Sequence, residues 1–309
     1  MTVSSYILDA IESIGVDVVF GLPGVHALGM WNALQTSNVR YIGFRHEHSA
    51  AHAADGYARA SGKPGIVILS TGPGTLNALS PFAEAYVSSS PVIAIASTIP
   101  SRFVGKQKGF LHETNDLAPA FKTVTRYHGR AQTADDVPRL LDEAFTASTA
   151  GRPGPSLIEI PADFFDAPLT TPPSPSPSPP SPGGASHRIF QPAPEEAIKQ
   201  AAMLLGLAAR PVIWAGGGVI RSGASEELVR VAEQLDAPVV CSFMGKGAFP
   251  EDHRLAIGSL VRQPEVIQLL EQADLMLAVG TRFTGMDTGN WQMRLPSQMI
   301  HIDIDDQEP

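Results

Sequence analysis

The chain has 309 residues, 43% of them hydrophobic and 17% charged, and a formal net charge of -9. It is long and apolar enough for substantial cores in about two domains. The acidic balance, without a Lys/Arg block, offers no field for a phosphate backbone, so nucleic acid is not an expected partner. The single cysteine, Cys241, excludes an intrachain disulfide framework and fits a reducing cytoplasm; after the apolar neighbours Val239 and Val240 it reads as a buried structural thiol. No apolar run approaches the ~20 residues that cross a bilayer, and Asp9, Glu12 and Asp17 leave no basic leader, so a cytoplasmic protein without membrane contact is expected.

In chain order, strands are expected at 17–20, 39–44, 65–69 and 91–96, alternating with helical stretches that include an Ala-rich helix from about 50 to 60. The alternation implies a parallel sheet covered by helices on both faces. Residues 172–182 are only proline and serine, a composition that favours extended polyproline geometry and marks a linker over 169–190. It separates a first block, 1–168, from a second, 191–309. There strands are expected at 211–215, 238–241, 275–279 and 299–304, with helices at 226–235 and 265–271. The fold class is therefore α/β, two doubly wound parallel-sheet domains, with no internal repeat.

Three groups of residues invite a chemical reading. Glu47, within Arg45-His46-Glu47-His48, sits between the strand at 39–44 and the Ala-rich helix, and such junctions on the carboxyl edge of an open α/β sheet are where ligands bind. On the residues alone, Glu47 could equally pair with Arg45 or complement the helix dipole. Thr71-Gly72-Pro73-Gly74 follows a strand and opens the helix containing Asn77; its small residues would let a ring system approach the backbone, and a tight turn without ligand fits them too. His48 and His52 have helical i, i+4 spacing, but Ala50 breaks a His-Glu-x-x-His pattern and no thiolate or carboxylate set completes a metal site. In the second block, Gly216-Gly217-Gly218 follows a strand, yet Arg221 stands where a dinucleotide fingerprint needs glycine.

Further segments occur in a fixed order: Phe20-Gly21-Leu22-Pro23-Gly24, then Ser70 to Asn77, Phe110-Leu111-His112-Glu113, Gly151-Arg152-Pro153-Gly154-Pro155 and Ile160-Pro161-Ala162-Asp163, with Gly245-Lys246-Gly247 and His301-Ile302-Asp303 in the second block. Together with Glu47 they resemble the thiamin-diphosphate-dependent 2-oxo-acid decarboxylases and acetolactate-synthase-like carboligases, over nearly the whole chain. The resemblance implies a pyrimidine-binding domain at 1–168 and a Rossmann-like central domain at 191–309. It implies that Glu47 hydrogen-bonds the pyrimidine N1′ of thiamin diphosphate, so that the cofactor's amino group can remove the C2 proton. Pro23, Gly24, Thr71, Gly72, Pro73, Gly74 and Asn77 are then cofactor-binding, and Val25, His26, His112 and Glu113 face the substrate, with Glu47, His26 and His112 catalytic.

Two departures bear on the substrate. Acetolactate synthases typically carry Pro-Gly-Gly in the first loop and Phe-Gln-Glu in the third, where this chain has Pro23-Gly24-Val25-His26 and Phe110-Leu111-His112-Glu113. The pattern looks more like members acting on other 2-oxo acids or aldehydes through a loop histidine. The family's Gly-Asp-Gly segment, which holds Mg2+ and the diphosphate, does not occur in the 309 residues. A separate diphosphate-binding subunit that anchors thiamin diphosphate and Mg2+ is therefore expected, with homodimerisation of this chain. The implied activity is a split enzyme that decarboxylates a small 2-oxo acid and protonates the enamine or transfers it to an acceptor. Two other readings stay open: a noncatalytic regulatory or scaffold subunit, and a nucleotide- or flavin-binding module, FAD or ADP being possible but not favoured in the central domain.

Overall fold

The structure is a computed structural model that describes residues 1–170 and 192–305. The expected linker therefore lies, from residue 171 on, outside the described residues, as do residues 191 and 306–309 of the second block. The chain divides into two compact units, Met1–Ile189 and Phe190–Pro309.

The first unit runs α1 (Val3–Ser13), β1 (Val18–Gly21), α2 (Leu28–Leu34), β2 (Arg40–Gly43), α3 (Glu47–Ser61), β3 (Gly65–Leu69), α4 (Pro73–Asn77), α5 (Leu79–Val87), β4 (Val92–Thr98), α6 (Ala118–Phe121), β5 (Tyr127–Arg130), α7 (Val137–Thr149) and β6 (Ser156–Pro161). Every residue of β1, β3, β4 and β6 is buried, as parallel strands covered on both faces require. Alternation divides them. Ile66, Ile68, Ile93, Ile95, Ile158 and Ile160 pack with α1 and α7, while Val67, Leu69, Ala94, Ala96 and Leu157 pack with Ala50 and Ala54 of α3 and Phe82 of α5. Helices thus cover both faces of a six-stranded sheet of order β2-β1-β3-β4-β6-β5 with every pairing parallel. The chain goes outward from β1 to β2 and returns across β1 to β3, which opens a crevice at the carboxyl ends of β1 and β3.

The first block extends past its expected boundary at 168. Leu169 N–H donates to the Met1 carbonyl, and Thr170 N–H to Asp135 at 2.8 Å, so both residues belong to the first unit. The Ala-rich helix starts three residues earlier than its apolar pattern suggests. His46 is its N-cap, its Nδ1 accepting from His48 N–H, and Glu47 is the first helical residue, where a carboxylate complements the helix dipole.

In the second unit come α8 (Glu195–Leu207), β7 (Pro211–Ala215), α9 (Gly217–Ser222), α10 (Ser225–Leu235), β8 (Val239–Cys241), β9 (Ala256–Gly258), α11 (Pro264–Gln272), β10 (Leu275–Val279) and β11 (Met299–Ile302). They form a parallel five-stranded sheet of order β11-β10-β7-β8-β9. Ile213, Val239 and Leu277 face Leu228 and Ala232 of α10, and Val212, Trp214 and Met276 face Val266 and Leu270 of α11. The Gly216-Gly217-Gly218 run has a packing reason here: a Cβ on Gly216 would lie 2.0 Å from the Gly280 carbonyl oxygen and one on Gly218 2.6 Å from the Gly280 Cα, so the turns after β7 and β10 meet backbone to backbone. Cys241 is buried, and burial pushes its thiol above the ordinary range, the state of an unreactive core sulfur. Among the described residues, no helix is long and apolar enough to cross a membrane.

Candidate active site

The turns after β1, β2, β3 and β4 carry the residues singled out in the sequence, and the parallel sheet places all four turns at one edge. Glu47, immediately after β2, is only 6% exposed. Its Oε2 accepts from Asn77 Nδ2 at 3.0 Å, at the far end of α4. Oε1 takes no hydrogen bond among the described residues. A Cβ on Gly74 would stand 2.7 Å from this oxygen and 2.8 Å from the Ser70 Cβ. Glycine at 74 therefore lets the backbone after β3 approach a buried carboxylate more closely than any side chain allows.

The turn itself is held from below. Thr71 Oγ1 is 2.8 Å from Ser97 Oγ on β4, and Thr75 Oγ1 donates to the Ser70 carbonyl at 2.7 Å. Gly72 adopts φ +57°, and a Cβ there would lie 2.2 Å from the carbonyl oxygen of His112, so the loop after β4 rests directly on the turn after β3. Pro73, exposed at the first position of α4, supplies the φ a helix start needs. Gly24 makes a similar approach to Ser70, its missing Cβ 2.4 Å from Oγ. Pro23 and Val25 beside it are exposed.

His26 and His112 come from turns 86 positions apart in the chain, and the fold brings their rings edge to face with centroids 5.8 Å apart. His26 is 8% exposed and its Nδ1, buried, has no hydrogen-bond partner. Burial, and secondarily the nearby His112, lowers its pKa below the ordinary 6.5, because desolvation disfavours the imidazolium. His112 is exposed and holds φ +64°, a left-handed conformation uncommon for a residue with a side chain. Glu113, expected to face substrate, turns back into its own loop: Oε2 accepts from Gly109 N–H at 2.7 Å and Phe110 N–H at 2.9 Å.

The sequence did not single out three residues that lie close by. Glu159 of β6, 1% exposed, accepts from His128 Nε2 at 2.5 Å and from Arg130 Nη2 at 3.1 Å and Nε at 3.3 Å. Arg130 and Glu159 line a cleft shared with Gly72, Thr98, His112 and Thr114. The available signal was the lone acid in the apolar run Ser156-Leu157-Ile158-Glu159-Ile160.

Among the described residues, no group of three or more His, Cys, Asp or Glu is placed to hold a metal ion. His48 and His52 stack edge to face at 4.6 Å. For an aminopyrimidine the arrangement fits: a buried acid with one free oxygen, a glycine-lined approach to it, and a buried imidazole with an orphaned nitrogen.

A fully parallel, helix-covered sheet with a buried acid facing a glycine turn at its switch point defines a ligand-binding α/β domain built around a carboxylate. Comparison with known families is consistent with this. The thiamine pyrophosphate enzyme N-terminal TPP binding domain matches residues 1–119, and the central domain of the same enzymes matches residues 198–308. The chain belongs to the thiamine pyrophosphate enzyme family, of which it carries the N-terminal and central domains. It is 39% identical over 306 residues to a probable acetolactate synthase large subunit of Methanocaldococcus jannaschii, covering 98% of this chain and 51% of that protein. Against a probable 2-ketoarginine decarboxylase of Pseudomonas aeruginosa the identity is 36%, over 99% of this chain and 53% of the relative. With the acetolactate synthase isozyme 3 large subunit of Escherichia coli it is 34%, over 94% and 50%. The chain thus spans about half the length of the curated relatives it matches.

Proposed function

We propose that this chain provides the pyrimidine side of a thiamin-diphosphate site in an enzyme that decarboxylates a small 2-oxo acid, followed by protonation of the product carbon or its transfer to an acceptor carbonyl. The observation that carries the reading is the free Oε1 of buried Glu47 facing the glycine at position 74. When bound, thiamin diphosphate supplies a nucleophilic carbon and an electron sink for the 2-oxo acid. Glu47 Oε1 shares a proton with the aminopyrimidine ring, and Asn77 fixes the carboxylate by holding Oε2. Gly24, Thr71, Gly72, Pro73 and Gly74, with Pro23 at the rim, would hold the ring. His26, kept neutral by its burial, and His112 move protons at the substrate carbons. Val25, exposed beside His26, bounds the substrate space, and Glu113 shapes the His112 loop.

The diphosphate and its Mg2+ are assigned to polypeptide outside residues 1–309. Supporting this are the absence of Gly-Asp-Gly from the sequence and the half-length coverage of the relatives. The arrangement we favour is a separate diphosphate-binding subunit paired with this chain, which also self-associates, in the cytoplasm. Turnover tests the reading: co-purified with a candidate subunit bearing Gly-Asp-Gly, the chain should release carbon dioxide from a 2-oxo acid only when thiamin diphosphate and Mg2+ are present. Full turnover by the Glu47→Gln form of that complex would overturn the assignment.

A further inference from the structure

We propose that Glu159 and Asp163 are positioning residues that anchor the loop bearing His112 at both of its ends, and so hold His112 against His26. The proposal rests on the roles given above to the two histidines. It assigns a purpose to the Ile160-Pro161-Ala162-Asp163 segment, which contributes none of the proposed cofactor residues.

The loop leaves β4 after Thr98 and regains regular structure, apart from a single turn at Ser101–Phe103, only at Ala118. Gly105, Gln107, Gly109 and His112 all have positive φ, so no repeating hydrogen-bond ladder fixes its path. Nor does a core: residues 105–109 are exposed, and a cleft lined by Thr98, Gly105, Thr114, Arg130 and Glu159 runs beneath it. Its position must come from discrete tethers, and two stand out.

At the entry, the Asp163 carboxylate takes both donors of Ser101, Oδ1 from N–H at 2.7 Å and Oδ2 from Oγ at 2.6 Å. At the exit, Arg130 bridges sheet and loop: its fork grips the buried Glu159 carboxylate, while Nη2 also donates to Asp116 Oδ1 at 3.0 Å. The same Asp116 oxygen accepts from Ala118 N–H at 3.1 Å, fixing the start of α6. A planar guanidinium suits such a bridge because its donors lie in a fixed fork. A buried acid in an otherwise apolar strand is costly unless paired; His128 and Arg130 of β5 pair Glu159 within the sheet, and Arg130 carries that pairing on to the loop through Asp116. Between the tethers Glu113 ties Gly109 and Phe110 to itself, so Phe110 to Glu113 move as one block, with the His112 carbonyl on Gly72 and its ring against His26.

The test uses two surface variants that leave the buried Arg130–Glu159 pair intact, Asp116→Ala and Asp163→Ala, alone and combined, in the full chain. NMR of the imidazoles without cofactor or substrate, assigned through His26→Gln and His112→Gln, reads the geometry. The wild type should show a cross-ring NOE between His26 and His112. Each single variant should weaken it, and the double variant should lose it while the His26 titration midpoint moves up toward 6.5 as solvent reaches the ring. Asp163→Asn, which keeps one acceptor, should retain the NOE. A double variant with wild-type circular dichroism, an intact NOE and an unmoved midpoint would overturn the proposal. If the double variant does not fold, the single variants Asp163→Ala and Asp116→Ala report on the two anchors separately, and an unchanged NOE in both would overturn it equally. The measurement is independent of thiamin chemistry, so these responses in a chain that stays silent even with the diphosphate-binding polypeptide, thiamin diphosphate and Mg2+ would sink the functional reading and leave the anchor standing.

Discussion

Replacing Gly74 by alanine should separate stability from function. The added Cβ would lie 2.7 Å from Glu47 Oε1 and 2.8 Å from the Ser70 Cβ, each well inside van der Waals contact, so one of the two neighbours must yield. Overpacking of this kind costs roughly 1–3 kcal/mol. Alanine recovers up to about 1 kcal/mol of helix propensity over glycine, though less in a helix as short as α4. The net loss should therefore be about 1–2 kcal/mol, a shift that urea denaturation resolves while the chain stays folded. The effect on the site should be larger in consequence, because the oxygen that moves is the free one while Oε2 stays with Asn77. In the complete enzyme, turnover and hydrogen-deuterium exchange at C2 of bound thiamin diphosphate should fall together, and crystallography should show the carboxylate rotated away from position 74. Wild-type turnover and exchange with an alanine at 74 would refute the argument that this glycine exists for close approach to Glu47.

Other outcomes follow from the same geometry. Glu47→Gln should leave the denaturation curve nearly unchanged and lower turnover of the complete enzyme by about 10² or more, the scale of lost proton assistance. Asn77→Ala should cost about 1–2 kcal/mol in urea unfolding, the worth of a hydrogen bond to a charged group. His26 should make stability pH-dependent. Its folded pKa lies below the unfolded 6.5, so the unfolded chain binds the extra proton; the stabilisation is complete above pH 6.5 and is lost as pH falls through the folded value. Comparing wild type with His26→Gln between pH 5 and pH 8 should show a flatter profile in the variant, and identical profiles would contradict the buried, neutral imidazole. Arg130→Met leaves the Glu159 carboxylate buried with His128 alone and should cost about 3–5 kcal/mol by thermal or urea unfolding.

The turns that carry the proposed cofactor residues were legible in the sequence because their signals are local. Glu47 opens its own helix, and Gly72, Gly74 and Asn77 lie within one strand-turn-helix passage. What stayed hidden depends on pairings between distant segments. The apposition of His26 with His112 arises because β1 and β4 run parallel in one sheet, and no spacing along the chain encodes it. The Arg130–Glu159 pair was missed for a related reason: β5, Tyr127-His128-Gly129-Arg130, is polar and contains glycine, so its pattern does not read as a strand until β6 supplies the partner. The start of α3 was misplaced because the apolar pattern begins at Ala50, whereas the helix begins where His46 caps it.

Gly24, His26, Gly72 and His112 stand on turns, while the apolar faces that stabilise the sheet lie along the strands between the turns. Under the proposed function, changing exposed Val25 or Leu111 would alter what meets the substrate without disturbing the packing of Ile66, Val67 or Ile93, because loop and strand positions bear different loads. The approaches of Gly74 to Glu47, Gly24 to Ser70 and Gly72 to the His112 carbonyl have no such freedom, since each couples two turns through a gap no side chain can enter. Divergence among proteins sharing this scaffold should therefore spare Gly24, Gly72 and Gly74 and concentrate at exposed positions beside them such as Val25 and Leu111. A chimera of this chain carrying another member's residues 25 and 111 should keep the fold, and loss of folding would contradict this separation of loads.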